Sequence, residues 1–412
     1  MSIETDVTQL VTDARPAVGR RRLSRPVAFA AIAAIFVTFS AASAAPSPLY
    51  VVYQLQWGFS ASTLTVIFAV YVAGLITALL VLGALSDHIG RRPVLAAAIL
   101  LEAVAFVLFM TAGDVGVLLA ARVVQGIATG AAMTTLGAAL VDLNPPHAPG
   151  RAGLINGIAP VAGLAVGALG CGALVQFGPS PTHFVYALLL LGMVLAGVVV
   201  GWMPETSVRR PGGAASLKPR LGVPARLRAD FLALTPIIVA SWALGGLYLS
   251  LGPSVAAGVF GLSNHLIGGL VVTLLCAPGA ITSFLLRRRP TPQVLGLAGV
   301  LLTAGAVVSI AGVEAGDIRL AGAGTLISGV GFGASALASF GTLAVLAAPQ
   351  ERGELFAVAL VIAYVAFSVP AVVAGLAAGS IGLHTTALVY GLVVALLGAA
   401  ALVAQRLRLR RA

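Results

Sequence analysis

The chain reads as an all-α membrane protein of twelve transmembrane helices arranged as two pseudo-symmetric six-helix bundles. Three observations lead there. Twelve stretches are each long and apolar enough to cross a hydrocarbon core of ~30 Å, which takes ~20 apolar residues. Hydrophobic residues make up 59% of the 412 and charged ones 9%, with a mean hydropathy of +1.05; a soluble domain carries about 25% charged residues. The basic residues alternate with the spans. All but two of the 24 Lys and Arg fall in one alternating set of segments, the exceptions being Arg122 inside a span and Arg319 in the opposite set.

The first two observations make lipid the outer solvent. Backbone in lipid must satisfy its own hydrogen bonds, so helices or a closed barrel are the options. Unbroken runs such as Val94 to Gly113 favour helices, because barrel strands alternate over ~10 residues. The third fixes orientation: positive-inside asymmetry puts both termini in the cytoplasm. It also accounts for the net charge of +11 through headgroup contact, leaving nucleic acid no role as a partner.

Taken in order, the expected spans are 27–50, 62–84, 94–113, 115–140, 152–175, 183–203, 231–255, 264–286, 293–312, 318–347, 354–378 and 384–404. Arg20–Arg22, the apolar run that follows and Ala42-Ser43-Ala44 have the outline of a secretory signal. That run is longer than the usual 7–15-residue signal core, and it reads as the first, uncleaved span. Residues 1–25 then form a cytoplasmic tail, 26–203 the first six-helix bundle, 204–230 a linker rich in Pro, Gly and Arg, 231–404 the second bundle and 405–412 a basic cytoplasmic tail. Cys171 and Cys276, both within spans, are expected to be buried free thiols.

The halves look duplicated. Arg91-Arg92-Pro93 matches Arg288-Arg289-Pro290, Gly126 and Gly130 match Gly329 and Gly333, Arg151 matches Arg352, and Pro48 matches Pro253, at offsets between 197 and 205 residues. Parallel repeats of six spans imply two bundles about an axis along the membrane normal, with a site between them at mid-depth.

The insert between the second and third spans is GALSDHIGRRPVL, Gly83 to Leu95. Gly83 is expected to admit a neighbouring helix, Gly90 to permit the turn, and Asp87 to accept from Arg91 or from a helix N-terminus. This segment resembles the helix 2–3 loop motif of the major facilitator superfamily, G-x-L-A-D-R-x-G-R-[KR]-x-x-L, at Gly83, Leu85, Asp87, Gly90, Arg91, Arg92 and Leu95. Ser86 replaces the usual alanine, and His88, a weaker base, replaces an arginine. The resemblance implies a latch that holds the cytoplasmic side closed, with Asp142 as a further acidic member. Topology alone also accounts for Arg92. In the second copy Phe284 stands where Asp87 should, so its latch is expected to be weaker or absent.

Arg122-Val-Val-Gln-Gly126 is similar to the superfamily's R-x-x-Q-G motif in the fourth helix, which implies a role for Arg122 near proton coupling; a buried structural ion pair is the other reading. Glu102 is the carboxylate deep in a span. It is read either as a proton carrier or as a structural partner of the fourth helix. The fifth span matches the antiporter-type glycine run only in part: Gly163, Gly167, Gly170 and Gly172 are present, Ala168 replaces the proline, and packing explains the glycines equally well.

The resemblance implies a cavity lined by helices 1, 4, 7 and 10. The candidate lining residues are Thr38, Ser40, Gln125, Trp242, Tyr248, Ser328 and Phe332, with Asn156 and Tyr364 from helices 5 and 11. Most of the single Ser and Thr there are expected to bond their own helix backbone. These four helices carry no Asp or Glu in the core, so a neutral or anionic substrate suits Arg122 better than a cation.

The expected function is secondary active transport of a small organic molecule across a bacterial inner membrane by alternating access, as proton-coupled efflux by a monomer with protons, substrate and lipid as its partners. An importer or uniporter of a sugar or metabolite is the alternative within the fold, and a non-transporting sensor the alternative outside it. No paired carboxylates or His/Cys set point to an enzyme. No phosphate-cradling loop points to ATP, and no cofactor or metal is expected.

Overall fold

The computed structural model describes residues 22–409, apart from 149, 208, 209, 220, 263 and 349. Most of the expected N-terminal tail and the last three residues of the C-terminal tail lie outside the described residues. The elements are α1 (Arg25–Ala44), α2 (Pro46–Trp57), α3 (Ala61–Leu82), α4 (Leu85–Ile89), α5 (Arg91–Met110), α6 (Val115–Asp142), α7 (Arg151–Phe177), α8 (Pro181–Trp202), α9 (Gly213–Ser216), α10 (Arg228–Ser250), α11 (Gly252–Gly258), α12 (His265–Leu285), α13 (Thr291–Glu314), α14 (Ile318–Leu346) and α15 (Arg352–Leu409). Among the described residues all regular structure is helical, and 11 helical segments are long and apolar enough to cross a membrane.

Prolines set the first difference from the expected spans. The span expected at 27–50 is two helices, α1 and α2, jointed at Ala45 with Pro46 opening the second. The one expected at 231–255 is likewise α10 and α11, with Pro253 in the first turn of α11. Proline lacks an N–H and suits the start of a helix, so Pro46 and Pro253 each open the second helix of their pair, while Pro48, the residue matched to Pro253, lies two positions further into α2. The two spans expected at 354–378 and 384–404 run together as α15, 58 residues long. A straight helix of that length would measure ~87 Å at ~1.5 Å per residue, far more than a ~30 Å core. Gly382 interrupts it with φ 81° and ψ 159°.

One end of the bundle carries Arg91, Asp142, Arg226 and Glu351; α3, α6, α12 and α14, which begin at the other end, are capped by side chains. Ser60 accepts from Thr63 N–H, Asp114 from Val117 N–H at 3.0 Å, Asn264 from Leu266 N–H and Asp317 from Arg319 and Leu320 N–H. Each satisfies an amide that the first turn leaves without an intrahelical partner.

Helix neighbours repeat between the halves. α1 packs on α7, α3 and α5 on α6, and α5 on α8; correspondingly α10 packs on α15, α12 and α13 on α14, and α13 on α15. The matched glycines sit at close backbone approaches in two of these crossings. A Cβ on Gly126 would overlap the Tyr71 carbonyl of α3, and one on Gly130 the Leu75 carbonyl; one on Gly329 would overlap Leu275 and one on Gly333 would overlap Gly279, both on α12. Backbone cannot retreat as a side chain can. Gly126→Val is therefore expected to destabilise by about 3 kcal/mol, the upper end for overpacking. Gly157→Ala, at a helical glycine with open space around its missing Cβ, should gain up to ~1 kcal/mol. Thermal unfolding of the two variants in one detergent checks the pair.

Contacts joining the two halves of the chain lie between the middle of the bundle and the end away from Arg91 and Glu351. Gly172 of α7 meets Gly269 of α12, and Thr273 donates to the Ala165 carbonyl at 3.1 Å. Phe68 of α3 packs on Phe367 of α15 with centroids 5.0 Å apart. Ser254 donates to Gln54 at 3.2 Å, His265 N–H to Gln176 at 3.0 Å, and Ser47 to the Leu249 carbonyl. Cys171 and Cys276 are buried free thiols.

Candidate functional site

The middle of the first six spans holds a closed polar cluster. Glu102 on α5 is 0% exposed and Arg122 on α6 is 1% exposed. Gln125, one turn along α6 from Arg122, joins them. Its carbonyl accepts from Arg122 Nη1 at 2.6 Å, and its Nε2 donates to Glu102 Oε1 at 3.1 Å and to the Ala42 carbonyl at 3.1 Å. Thr129, a further turn on, reaches Glu102 Oε2 at 3.5 Å. Arg122, Gln125 and Thr129 are at i, i+3 and i+7, so one face of α6 carries the whole set toward α5. The guanidinium lies 4.3 Å from the Tyr71 ring centroid in cation–π geometry. Tyr71 donates to Ser43 at 2.9 Å, and the Ser43 carbonyl receives Arg122 at 3.5 Å. Glu102 and Arg122 thus communicate through an amide rather than by direct contact, and both are shut off from open space.

A second cluster sits at the basic end. Arg91, 7% exposed, meets Asp87 at 2.5 Å and Asp142 at 3.0 Å and donates to Ser86 at 2.6 Å. The serine that replaces the motif's usual alanine is therefore a hydrogen-bond partner of the motif's arginine. Asp142 also receives Thr206 Oγ1 at 2.9 Å, and its backbone carbonyl receives Arg25 at 2.6 Å. Asp87 is half exposed, with Arg91 as its ion-pair partner. Arg92 donates to the carbonyls of Val200 and Gly201, which ties α5 to the end of α8.

Glu205 was missed by sequence reasoning. Its carboxylate accepts from the backbone N–H of Arg91 at 2.8 Å, Arg92 at 3.1 Å, Thr206 at 3.1 Å and Ser207 at 3.2 Å. It is an anion at the N-terminus of α5, where the helix dipole favours one. Gly90 has φ 105°, and a Cβ there would lie 2.8 Å from Glu205 Oε2, so the motif's glycine serves both the turn and the carboxylate seat. No local pattern connects Glu205 to a loop more than a hundred residues earlier.

Gly83 is placed differently from the expectation. A Cβ on it would strike the Leu79 carbonyl of its own chain, while the nearest neighbouring-helix atom, of Thr134, would be at an ordinary 3.8 Å. It ends α3 rather than admitting another helix. In the second copy Arg287 lies over the Phe284 ring at 3.9 Å, where the first copy has an ion pair.

The candidate cavity residues separate. Trp242, Tyr364 and Phe367 form an edge-to-face cluster, Trp242 to Tyr364 at 4.8 Å and to Phe367 at 5.9 Å, and Phe332 packs beside Gly245 and Gly279. The others turn elsewhere. Thr38 faces Gly192 of α8, Ser40 fills the α1–α7 crossing at Gly163, and Ser328 is pressed against Gly305 of α13. Asn156 donates to the Gly137 carbonyl of α6 at 3.2 Å. Gln125 belongs to the closed Glu102 cluster, and Tyr248 bonds Thr325 at 2.8 Å in a pocket inside the second half. Thr38 and Ser40 bond carbonyls of their own helix; a hydroxyl satisfied one turn back has no need of a chamber. Arg122, enclosed as it is, does not offer its charge to a substrate in this conformation.

The chain matches the Major Facilitator Superfamily over residues 27–369 and belongs to it. It is 26% identical over 261 residues to the multidrug resistance protein MdtL of Shewanella sp. (strain ANA-3), covering 62% of this chain and 65% of that protein. MdtL of Citrobacter koseri is 26% identical over 266 residues, 62% of this chain and 66% of that one. The matches span less than two thirds of these relatives. Among solved structures, the chain superposes on a bacterial homologue of the human lysosomal transporter Spinster, in an inward-facing and unoccupied conformation. That match has a TM-score of 0.71 at 14% identity, over 93% of this chain and 97% of that one. The human organic anion transporter MFSD10 gives 0.68 at 17% identity over 92% and 100% of the two chains. At these identities the likeness is one of fold.

Proposed function

We propose that the chain is a proton-coupled secondary transporter that exports a small organic molecule across a bacterial cytoplasmic membrane by alternating access. The observation that carries the coupling is Glu102: a carboxylate at the core of the spans, held by Gln125 against a buried Arg122. A carboxylate buried in a membrane span is costly, and such groups mark ion or proton pathways. Bound to a proton it is neutral; without one it is balanced through Gln125 by the guanidinium.

The repeated helix neighbours support two six-helix bundles, 26–203 and 231–404, joined by the 204–230 linker, with Gly382 dividing α15 into the eleventh and twelfth spans. Positive-inside asymmetry puts the Arg91 end and both termini in the cytoplasm. The contacts between halves then close the far side, which is an inward-facing state, and Asp87, paired with Arg91 yet half exposed, presents its open side to the second bundle when the cytoplasmic side closes. Trp242 and Tyr364 favour a neutral, aromatic cargo, in keeping with the multidrug resistance named for the MdtL relatives.

The test is proton flux in proteoliposomes of the full chain carrying a pH-sensitive dye. A transported aromatic compound should dissipate an imposed pH gradient with wild-type protein and fail to do so with Glu102→Gln, whose amide oxygen still accepts from Gln125 and whose NH2 donates to the Thr129 hydroxyl in place of accepting from it, while ligand-induced thermal stabilisation persists. Substrate-dependent flux at the wild-type rate in Glu102→Gln would remove Glu102 from the coupling. Substrate movement without protons in the wild type would make the protein a uniporter.

A further inference from the structure

A pocket of about 320 Å³ lies inside the second half of the chain, away from the Trp242–Tyr364 cluster and toward the end opposite the basic one. Its walls come from α10, α11, α12, α13, α14 and the final stretch of α15. They are apolar except for Tyr248, Ser309 and Thr325 at its depth and Arg319 at its rim. Thr325 is seven residues from Ile318 at the rim, which makes the pocket roughly 10 Å deep at ~1.5 Å per residue.

The duplication explains why space exists here. Gly126 and Gly130 correspond to Gly329 and Gly333, so Arg122 corresponds to Thr325. Pro48 corresponds to Pro253, so Tyr50 corresponds to Val255. His183 corresponds to His384, so Tyr186 corresponds to Ala387. Arg122, Tyr50 and Tyr186 are among the largest fully buried side chains of the protein and plug the first half at this place. Their counterparts Thr325, Val255 and Ala387 are small, and all three line the pocket. Protein interiors leave few gaps of this size, and the volume is within the range of ligand sites.

The rim sets the chemistry. Asp317 accepts from the backbone N–H of Arg319 and Leu320, and Glu314 faces His384 at 3.9 Å. Arg319 is the charged residue of the lining, and its exposed guanidinium is in no ion pair among the described residues. We propose that this pocket binds an anionic amphiphile, a carboxylate with a single medium-length apolar tail. The head pairs with Arg319 at the rim and the tail ends against Tyr248 and Thr325. Binding here is separate from the coupling cluster and from the Trp242–Tyr364 cluster, so it stands or falls without the transport reading.

The experiment uses the full chain in nanodiscs of zwitterionic lipid, photolabelled with a diazirine derivative of decanoate, and maps the labelled peptides by mass spectrometry. Saturable labelling is expected in 267–274 and 318–325, with decanoate competing about fivefold better than decylamine, the preference one partly exposed charge pair supplies. Arg319→Gln should keep the labelling and lose that preference. Val255→Tyr with Ala387→Tyr, which restores the first half's plug, should abolish it. Labelling that does not saturate and falls on lipid-facing positions such as Leu326 would overturn the proposal, as would equal competition by the two amphiphiles in the wild type. Should the doubly plugged variant fail to fold, the Arg319→Gln comparison decides.

Discussion

Arg122→Leu is expected to destabilise the protein more than Arg122→Leu combined with Glu102→Gln. The arginine is enclosed, and removing it alone strands a carboxylate and the Gln125 carbonyl in the core. Breaking one side of a buried charge arrangement costs about 3–5 kcal/mol, whereas replacing both sides with neutral groups is often nearly neutral. Gln125 is the link, so the two substitutions are coupled although the two charges do not touch. A double-mutant cycle from unfolding in one detergent gives that coupling directly. Additive losses would mean that Glu102 and Arg122 do not share one electrostatic unit. The conservative Arg122→Lys is expected to fall between, since an ammonium keeps the charge but not the planar stacking on Tyr71.

The same cluster marks how far the sequence carries. Glu102 and Arg122 stood out because ionisable groups in a span are rare and demand partners. Gln125 appeared inside a recognisable R-x-x-Q-G pattern, but its role as the bridge depends on α5 facing α6, which no periodicity announces. Helices buried by protein on one side and lipid on the other have no polar stripe to show which face meets a chamber. Polarity alone therefore points Thr38, Ser40 and Ser328 at a cavity, whereas in the structure they lie against glycines of neighbouring helices. Glycine spacing was more legible, because Gly126, Gly130, Gly329 and Gly333 act through backbone proximity, and the repeat exposed them as a set. The joints at Pro46 and Pro253 are not legible in the sequence: the repeat pairs Pro253 with Pro48, two residues past the proline that opens α2.

Glu205 is the residue whose loss should be felt most at the basic end. Four backbone N–H groups converge on its carboxylate. A hydrogen bond to a charged group contributes about 1.5–3 kcal/mol, and partial exposure here reduces that per bond, so Glu205→Ala is expected to cost about 3 kcal/mol in all. Beyond stability, the substitution should loosen α4 and the start of α5, which hold Asp87 and Arg91. Amide hydrogen exchange should therefore rise across 85–92 while the Glu102 region stays protected. Gly90→Ala attacks the same seat from the other side, forcing a Cβ against Glu205 and an alanine into φ 105°. In the double variant the clash disappears and the backbone strain remains. Gly90→Ala should therefore cost less in the Glu205→Ala background than in the wild type, by the part of the penalty due to contact, while ~1–3 kcal/mol of strain persists. Equal costs in both backgrounds would show that the motif's glycine is required by its turn alone and that the carboxylate seat is incidental to it.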